Sequence, residues 1–455
     1  MRKTSIVWMV AAVLGLGLMF ASHRESMRCT ELTQWANGIM FVAHGDLPRE
    51  ASERGLTAMV RFLPPGREAK DLAEILGVSQ PHLRDTLLWN LQETVIGLPD
   101  LGKIFTEEDL ESGRLPKNDR KEVLAGYGAR GKKEVKVGDD TFQIVGVLRR
   151  GESLFNRAYL VPDDKAWPGL FNPQDPAVKR AVVLTSKQVR EIQEQLEEEF
   201  PRQDFKPVAH SVRLEPAWYY LYILGMAVFL AGGSVLMIRG YCRWADRATG
   251  KWLGLPLAAI RDRQRLLGAV HVAYFGLTIV GALLVYSMPN VQRILLLVIS
   301  EQIQTGQGLL GWVGQLYQSG NIPLAAAGTL AVNFLLGSLL WITVPSLVVP
   351  GIGFLTALFR AILWGFLLMP TYLALSGPML LHSGTLLLEG EGYILAAFFA
   401  LLIPVELLFP KDKSPAALRF GRAIVLNLKA CLLVFAVLAI AAIYEAIEVI
   451  GQASL

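Results

Sequence analysis

The apolar residues of this chain are distributed so unevenly that they decide its class before any motif is read. One run, Ser5 to Ala21, follows Arg2 and Lys3. Residues 22–216 have the mixed composition of a water-soluble domain, and from Ala217 onward apolar runs follow one another almost to the C-terminus. At 1.5 Å per residue, roughly 17–20 helical residues cross the hydrocarbon core of a bilayer. The 18% of charged residues is well under the roughly 25% usual in soluble domains. The expected fold class is therefore an α-helical polytopic membrane protein of about seven transmembrane helices, with an α+β extracytoplasmic domain inserted between helices 1 and 2. A cleaved signal peptide competes for the first run, but Met19-Phe20-Ala21-Ser22 is a poor small-x-small site, so an uncleaved anchor over 1–21 is expected.

Charge sets the orientation. The second span, Ala217 to Ile238, opens on Trp218-Tyr219-Tyr220-Leu221-Tyr222, a cluster suited to the membrane–water interface. It closes on the basic loop 239–265, with Arg239, Arg243, Arg247, Lys251, Arg261, Arg263 and Arg265. Basic loops remain cytoplasmic, which places the N-terminus inside and 22–216 outside a plasma (inner) membrane. Further spans read as 266–288, 323–347, 352–375, 386–409 and 424–447. The segment 289–322 between them is too polar to span and reads as outer re-entrant or amphipathic. Residues 217–288 thus form helices 2 and 3, and 323–455 a C-terminal membrane block of about four helices.

Within 22–216, helical and strand periods alternate. Val189, Ile192, Leu196 and Phe200 have helical spacing over 186–200, and Ala181–Leu184 reads as a strand. Glu134–Val137, a turn at Gly138-Asp139-Asp140 and a strand from Thr141 to Leu148 predict a β-hairpin. Gly102-Lys103-Ile104-Phe105-Thr106-Glu107-Glu108-Asp109 precedes Gly126-Tyr127-Gly128, the hairpin with Phe142-Gln143-Ile144-Val145-Gly146-Val147, and then Tyr159-Leu160-Val161-Pro162. This order, over about residues 95–205, resembles the periplasmic core domain of MacB-type ABC transporter permeases, which places such a domain between its first two spans.

The loop after the second span extends the resemblance to MacB- and FtsX-type permeases. Arg247 to Leu257, followed by Ile260-Arg261-Asp262, is similar to the element that docks on the ATPase in those proteins. The resemblance implies Lys251, Trp252, Leu253, Leu255 and Arg261 as ATPase-coupling residues, a separate cytoplasmic ABC ATPase as partner, and paired membrane subunits in a homodimer or heteromer. Positive-inside charge with an interfacial helix is the competing reading. The C-terminal block instead resembles the stage II sporulation protein M family, through Asn333-Phe334, Val349-Pro350-Gly351-Ile352-Gly353, and His382-Ser383-Gly384 with Glu389 and Glu391. It departs from that family's signature at Leu381, which stands where the family has proline, and in the spacing from histidine to glycine and glutamate.

Ionisable residues inside spans cost about 2.5–3.5 kcal/mol each, so they are functional candidates. Asn333, Arg360, His382, Glu389 and Glu391 form that set. Asn333 reads as helix glue, and Arg360 as snorkelling or paired within the bundle. Glu389 and Glu391 read as a wet helix end at the outer edge of the sixth span. His382 and Glu389, seven apart and on one helical face, are an alternative relay. Glu445 and Glu448 read as interfacial.

No phosphate-binding loop, nucleophile elbow, zinc spacing or dinucleotide fingerprint occurs, so the chain is read as a non-enzyme without cofactor, metal site or catalytic residues. A net charge of +4 from 44 basic and 40 acidic residues gives no reason to expect nucleic acid. The expected function is a permease-like subunit that couples an ATPase to the outer domain. The alternatives are a scaffold that recruits an envelope or cell-wall partner, and a secondary transporter. Membrane lipid is a partner in each.

Overall fold

The computed structural model describes residues 2–30, 39–43, 55–64, 93–99, 101–117, 120–149, 157–162, 174–185, 205–208, 214–247, 252–288, 308–410 and 413–453, with single or short positions between them. The expected helix over 186–200, Lys251 and much of 289–307 lie outside the described residues. The chain divides into two compact units, Met1–Arg24 with Leu214–Leu455, and Glu25–Arg213.

The first unit is helical. Its elements are α1 (Arg2–Thr30, which continues past Arg24), α2 (Pro216–Ala245), α3 (Gly254–Asp262), α4 (Gln264–Ser287) and α5 (Gly308–Gln318). They are followed by α6 (Ile322–Val348), α7 (Ile352–Leu368), α8 (Leu373–Leu408) and α9 (Ala416–Ala453). Six of them, α1, α2, α4, α6, α8 and α9, are long and apolar enough to cross a membrane, and α7 is a shorter apolar helix. This is the architecture of a multi-pass membrane protein.

Local chemistry sets several helix ends. Pro216 starts α2 from a position where its missing N–H costs nothing. The Asn321 side chain accepts the Leu324 N–H at 3.0 Å and caps α6, which widens to π geometry from Ala331 to Thr343. Two ends differ from expectation. The helix expected over 352–375 stops at Leu368, because Pro370 drives Met369 to an extended ψ of 137°. The next helix begins at Leu373 and runs 36 residues, with Pro378 and Pro404 inside it. The aromatic cluster expected at the interface also divides. Tyr219 and Tyr222 are buried in the bundle and Tyr220 faces outward, while the Tyr219 hydroxyl donates to Ala282 O at 2.6 Å.

Helix α8 is the core of this unit. Residues 389–400 are all buried, as a helix apolar around its whole circumference requires. α9 runs along it, and α7 packs on α4. The α4–α7 crossing is made by glycines. A Cβ on Gly365 would collide with Thr278 O, and one on Gly281 with Ile362 O, so the two backbones touch as small residues permit.

The Glu25–Arg213 unit is built on a ten-stranded mixed sheet. Its strands are β1 (Ile39–Ala43), β2 (Leu56–Phe62), β3 (Thr94–Gly97), β4 (Leu110–Gly113) and β5 (Glu122–Ala125), then β6 (Glu134–Val137), β7 (Asp140–Leu148), β8 (Ala158–Val161), β9 (Val178–Leu184) and β10 (Phe205–Val208). The order is β10-β1-β9-β2-β3-β8-β5-β7-β4, with β6 on β7. β3–β8 and β5–β7 are parallel. Alternate residues feed two cores on opposite faces, Ile96, Leu124 and Leu160 in one, and Val95, Val123, Tyr159 and Val161 in the other. The central strands β3, β5 and β8 are therefore buried throughout.

The β6–β7 hairpin closes on Gly138-Asp139, with Gly138 at φ 62°, and Asp140 already pairs with Val137 rather than lying in the turn. The Gly102–Asp109 motif forms a helical turn and then a short 3₁₀ turn, where Asp109 Oδ2 accepts the Thr106 N–H at 2.7 Å. Glu122 is buried and held by both Arg114 nitrogens at 2.7 and 2.8 Å and by the Lys117 N–H at 3.1 Å. The Arg114 guanidinium draws its carboxyl down to about 2. Lys132, Glu93 and Tyr159 close a triangle of hydrogen bonds at 2.6, 2.9 and 3.0 Å. Burial beside them pushes the Tyr159 hydroxyl above its ordinary value.

Candidate functional site

A buried charge survives only with a partner, and α8 carries four ionisable side chains that each have one. Near its start, His382 Nδ1 lies 3.3 Å from Glu448 Oε1 on α9. Thr385, one turn on, donates to Glu448 Oε2 at 2.8 Å. At mid-helix Glu389 meets Arg360 of α7 at 3.3 Å, and Glu391 meets His271 of α4 at 2.7 Å. Near its end, Glu406 pairs with Arg263, the residue before α4. Glu389 and Glu391 reach different helices because residues two apart on an α-helix point about 200° apart.

Two of these pairs are embedded in aromatic side chains. The Arg360 guanidinium carbon lies 4.0 Å from the Tyr393 ring centroid and 5.1 Å from that of Trp364. Such stacking suits a weakly hydrated cation removed from water. The Tyr393 hydroxyl donates to Asn333 O at 3.4 Å, which ties the π-helical part of α6 to α8. Among the described residues, the buried Tyr274 hydroxyl and Arg360 Nε meet no hydrogen-bond partner. At the other pair, the buried Tyr241 hydroxyl of α2 faces the Glu391 carboxyl.

The five intramembrane candidates therefore converge around α8, with corrections. Glu389 and Glu391 are no wet helix end, being 6% and 0% exposed, because α8 begins at Leu373 and carries them to its middle. His382 and Glu389 do share a face, but each takes a partner from a different helix, so they form no direct pair. Glu448 is buried rather than interfacial, and Tyr317 of α5, bonded to Thr329 at 2.8 Å, faces Glu445. Asn333 serves through its main-chain carbonyl. Sequence reasoning missed His271, Tyr241, Tyr274 and Tyr393 as members. The signal was present for His271, a lone ionisable residue within an apolar run. Among the described residues, no group of three or more His, Cys, Asp or Glu is placed to hold a metal ion.

The coupling candidates form a second locale. α3 buries Pro256, Leu257 and Ile260, while Trp252, Leu253 and Leu255 are 67%, 38% and 51% exposed. Lys429 of α9 lies 5.6 Å over the Trp252 ring. Arg261 pairs with Asp246 at 3.3 Å and with Asp262 at 3.5 Å. No family model matches the chain, and no curated protein matches it, so the permease and sporulation-protein resemblances rest on their motifs alone.

Proposed function

We propose that the chain is a permease-like membrane subunit of an ABC-type transport or mechanotransmission assembly. In it, a separate cytoplasmic ATPase acts on α3, and the bundle carries the motion toward an extracytoplasmic Glu25–Arg213 unit. The observation that supports this reading is α3 itself. It is a short helix between two long apolar ones, anchored by Leu257 and Ile260, with Trp252, Leu253 and Leu255 left facing outward in the most basic loop of the chain. Positive charge keeps such a loop on the cytoplasmic side of an inner membrane. Exposed apolar side chains on a short helix and the turn leading into it, Leu255 with Trp252 and Leu253, are what a partner groove grips. Counting α7 as a span gives an odd number of crossings and sets the two termini on opposite sides. Trp252→Glu with Leu255→Glu tests the reading: an ATPase that copurifies with the native chain is lost from the variant, and retention of that ATPase contradicts it.

A second reading, an ion-coupled secondary transporter, is favoured by the Arg360–Glu389 pair at the middle of the bundle. Ion pairs in that position commonly mark ion or proton pathways. It predicts ion-dependent uptake that Arg360→Ala abolishes, and uptake indifferent to that change removes it.

A further inference from the structure

The His271–Glu391 pair fixes its own proton count. His271 Nδ1 lies 2.9 Å from Leu267 O. A carbonyl oxygen only accepts, so Nδ1 carries a hydrogen. The other nitrogen, Nε2, lies 2.7 Å from Glu391 Oε2. Two bare acceptors repel at that separation, so one proton sits between them, on the imidazole or on the carboxyl. Both placements leave the pair neutral, as imidazolium with carboxylate or as imidazole with carboxylic acid.

Surrounding charges do not compensate a change in that count. Glu391 is 0% and His271 3% exposed. Arg360 of α7 is already committed to Glu389, two residues away on α8. From α2, the buried Tyr241 hydroxyl faces the Glu391 carboxyl. Tyr274, one turn after His271 on α4, holds a further buried hydroxyl beside Arg360 and Glu389, with no hydrogen-bond partner among the described residues. The site thus sets a donor, the Tyr241 hydroxyl, against the Glu391 carboxyl that shares a proton with His271.

We propose that His271 and Glu391 form an exchangeable proton-binding site in the membrane interior, whose occupancy is linked to the packing of α4 against α8. Release moves the shared proton from between Nε2 and Oε2 to water. It leaves neutral imidazole beside carboxylate, a net charge of −1, and removes the hydrogen bond that joins the two helices. The free carboxylate is then held by the Tyr241 hydroxyl or draws in water, and the α4–α8 contact opens. The proposal depends on neither the ATPase nor the transporter reading.

The test uses the full chain in lipid nanodiscs, with Glu391→Gln, His271→Gln and Tyr241→Phe. Proton release on raising the pH is counted with a pH indicator, and carboxyl and imidazole bands are followed by infrared difference spectroscopy. The native chain is expected to release one proton more than Glu391→Gln, whose carboxyl band is missing, while His271→Gln keeps the Glu391 carboxyl, loses the imidazole bands and releases its proton at a different pH. Glu391→Gln keeps the fold, because its amide N–H donates to His271 Nε2, and an α4–α8 spin-label distance that shifts with pH in the native chain becomes pH-independent. Tyr241→Phe shifts the pH of release without abolishing it. Equal proton release from native chain and Glu391→Gln, or a pH-dependent distance that survives in that variant, overturns the proposal.

Discussion

Arg360 of α7 and Glu389 of α8 lie 3.3 Å apart inside the helical unit, with the Tyr393 ring 4.0 Å from the guanidinium carbon. The pair is half of a charge-neutral arrangement at mid-bundle, and its partners come from separate helices. Removing one partner leaves the other buried and uncompensated. Arg360→Met or Glu389→Leu alone is expected to destabilise the protein by about 3–5 kcal/mol, and the double variant by clearly less. A double-mutant cycle of unfolding in detergent measures this, and additive losses would contradict it.

The glycine crossing of α4 and α7 leaves no room for a side chain. Gly365→Ala is expected to cost about 1–3 kcal/mol through backbone displacement, because its Cβ meets Thr278 O. Gly421→Ala on α9, where a Cβ meets nothing within 4 Å, is the control and should be neutral or slightly stabilising. Thermal unfolding of the two variants in one detergent checks the difference.

Acid should loosen the sheet unit through Glu122. Its carboxyl is held down at about 2 by Arg114, against roughly 4.3 for a free glutamate. The unfolded chain therefore binds the proton first, and the stabilisation present above about pH 4.3 is lost as the pH falls through about 2. Pepsin digestion of the intact chain across that window, compared with Glu122→Gln, reads the effect. The native protein gains susceptibility as pH falls, and the variant, already without the ion pair, changes less.

Parts of this architecture are legible from sequence because their causes are local. The hydropathy partition separates the two units. Gly138 between alternating strands marks the β6–β7 hairpin, and Arg360 in an apolar run marks a buried charge. The rest depends on distant residues. The sixth span reads as 386–409, but neighbouring helices in a bundle allow Pro378 inside α8, so Glu389 and Glu391 lie mid-helix rather than at an end. The partner of Glu391 is 120 residues away and that of His382 is 66 away. Helical periodicity gives the face a side chain occupies and says nothing of which helix covers that face.

The most direct measurement of the proposed role is affinity purification of the intact chain from its native membrane in mild detergent, beside the Trp252→Glu/Leu255→Glu variant, with mass spectrometry of what accompanies each. A permease-like subunit brings a stoichiometric ABC ATPase with the native chain and loses it in the variant. A native chain that brings no ATPase, or only envelope proteins, contradicts it.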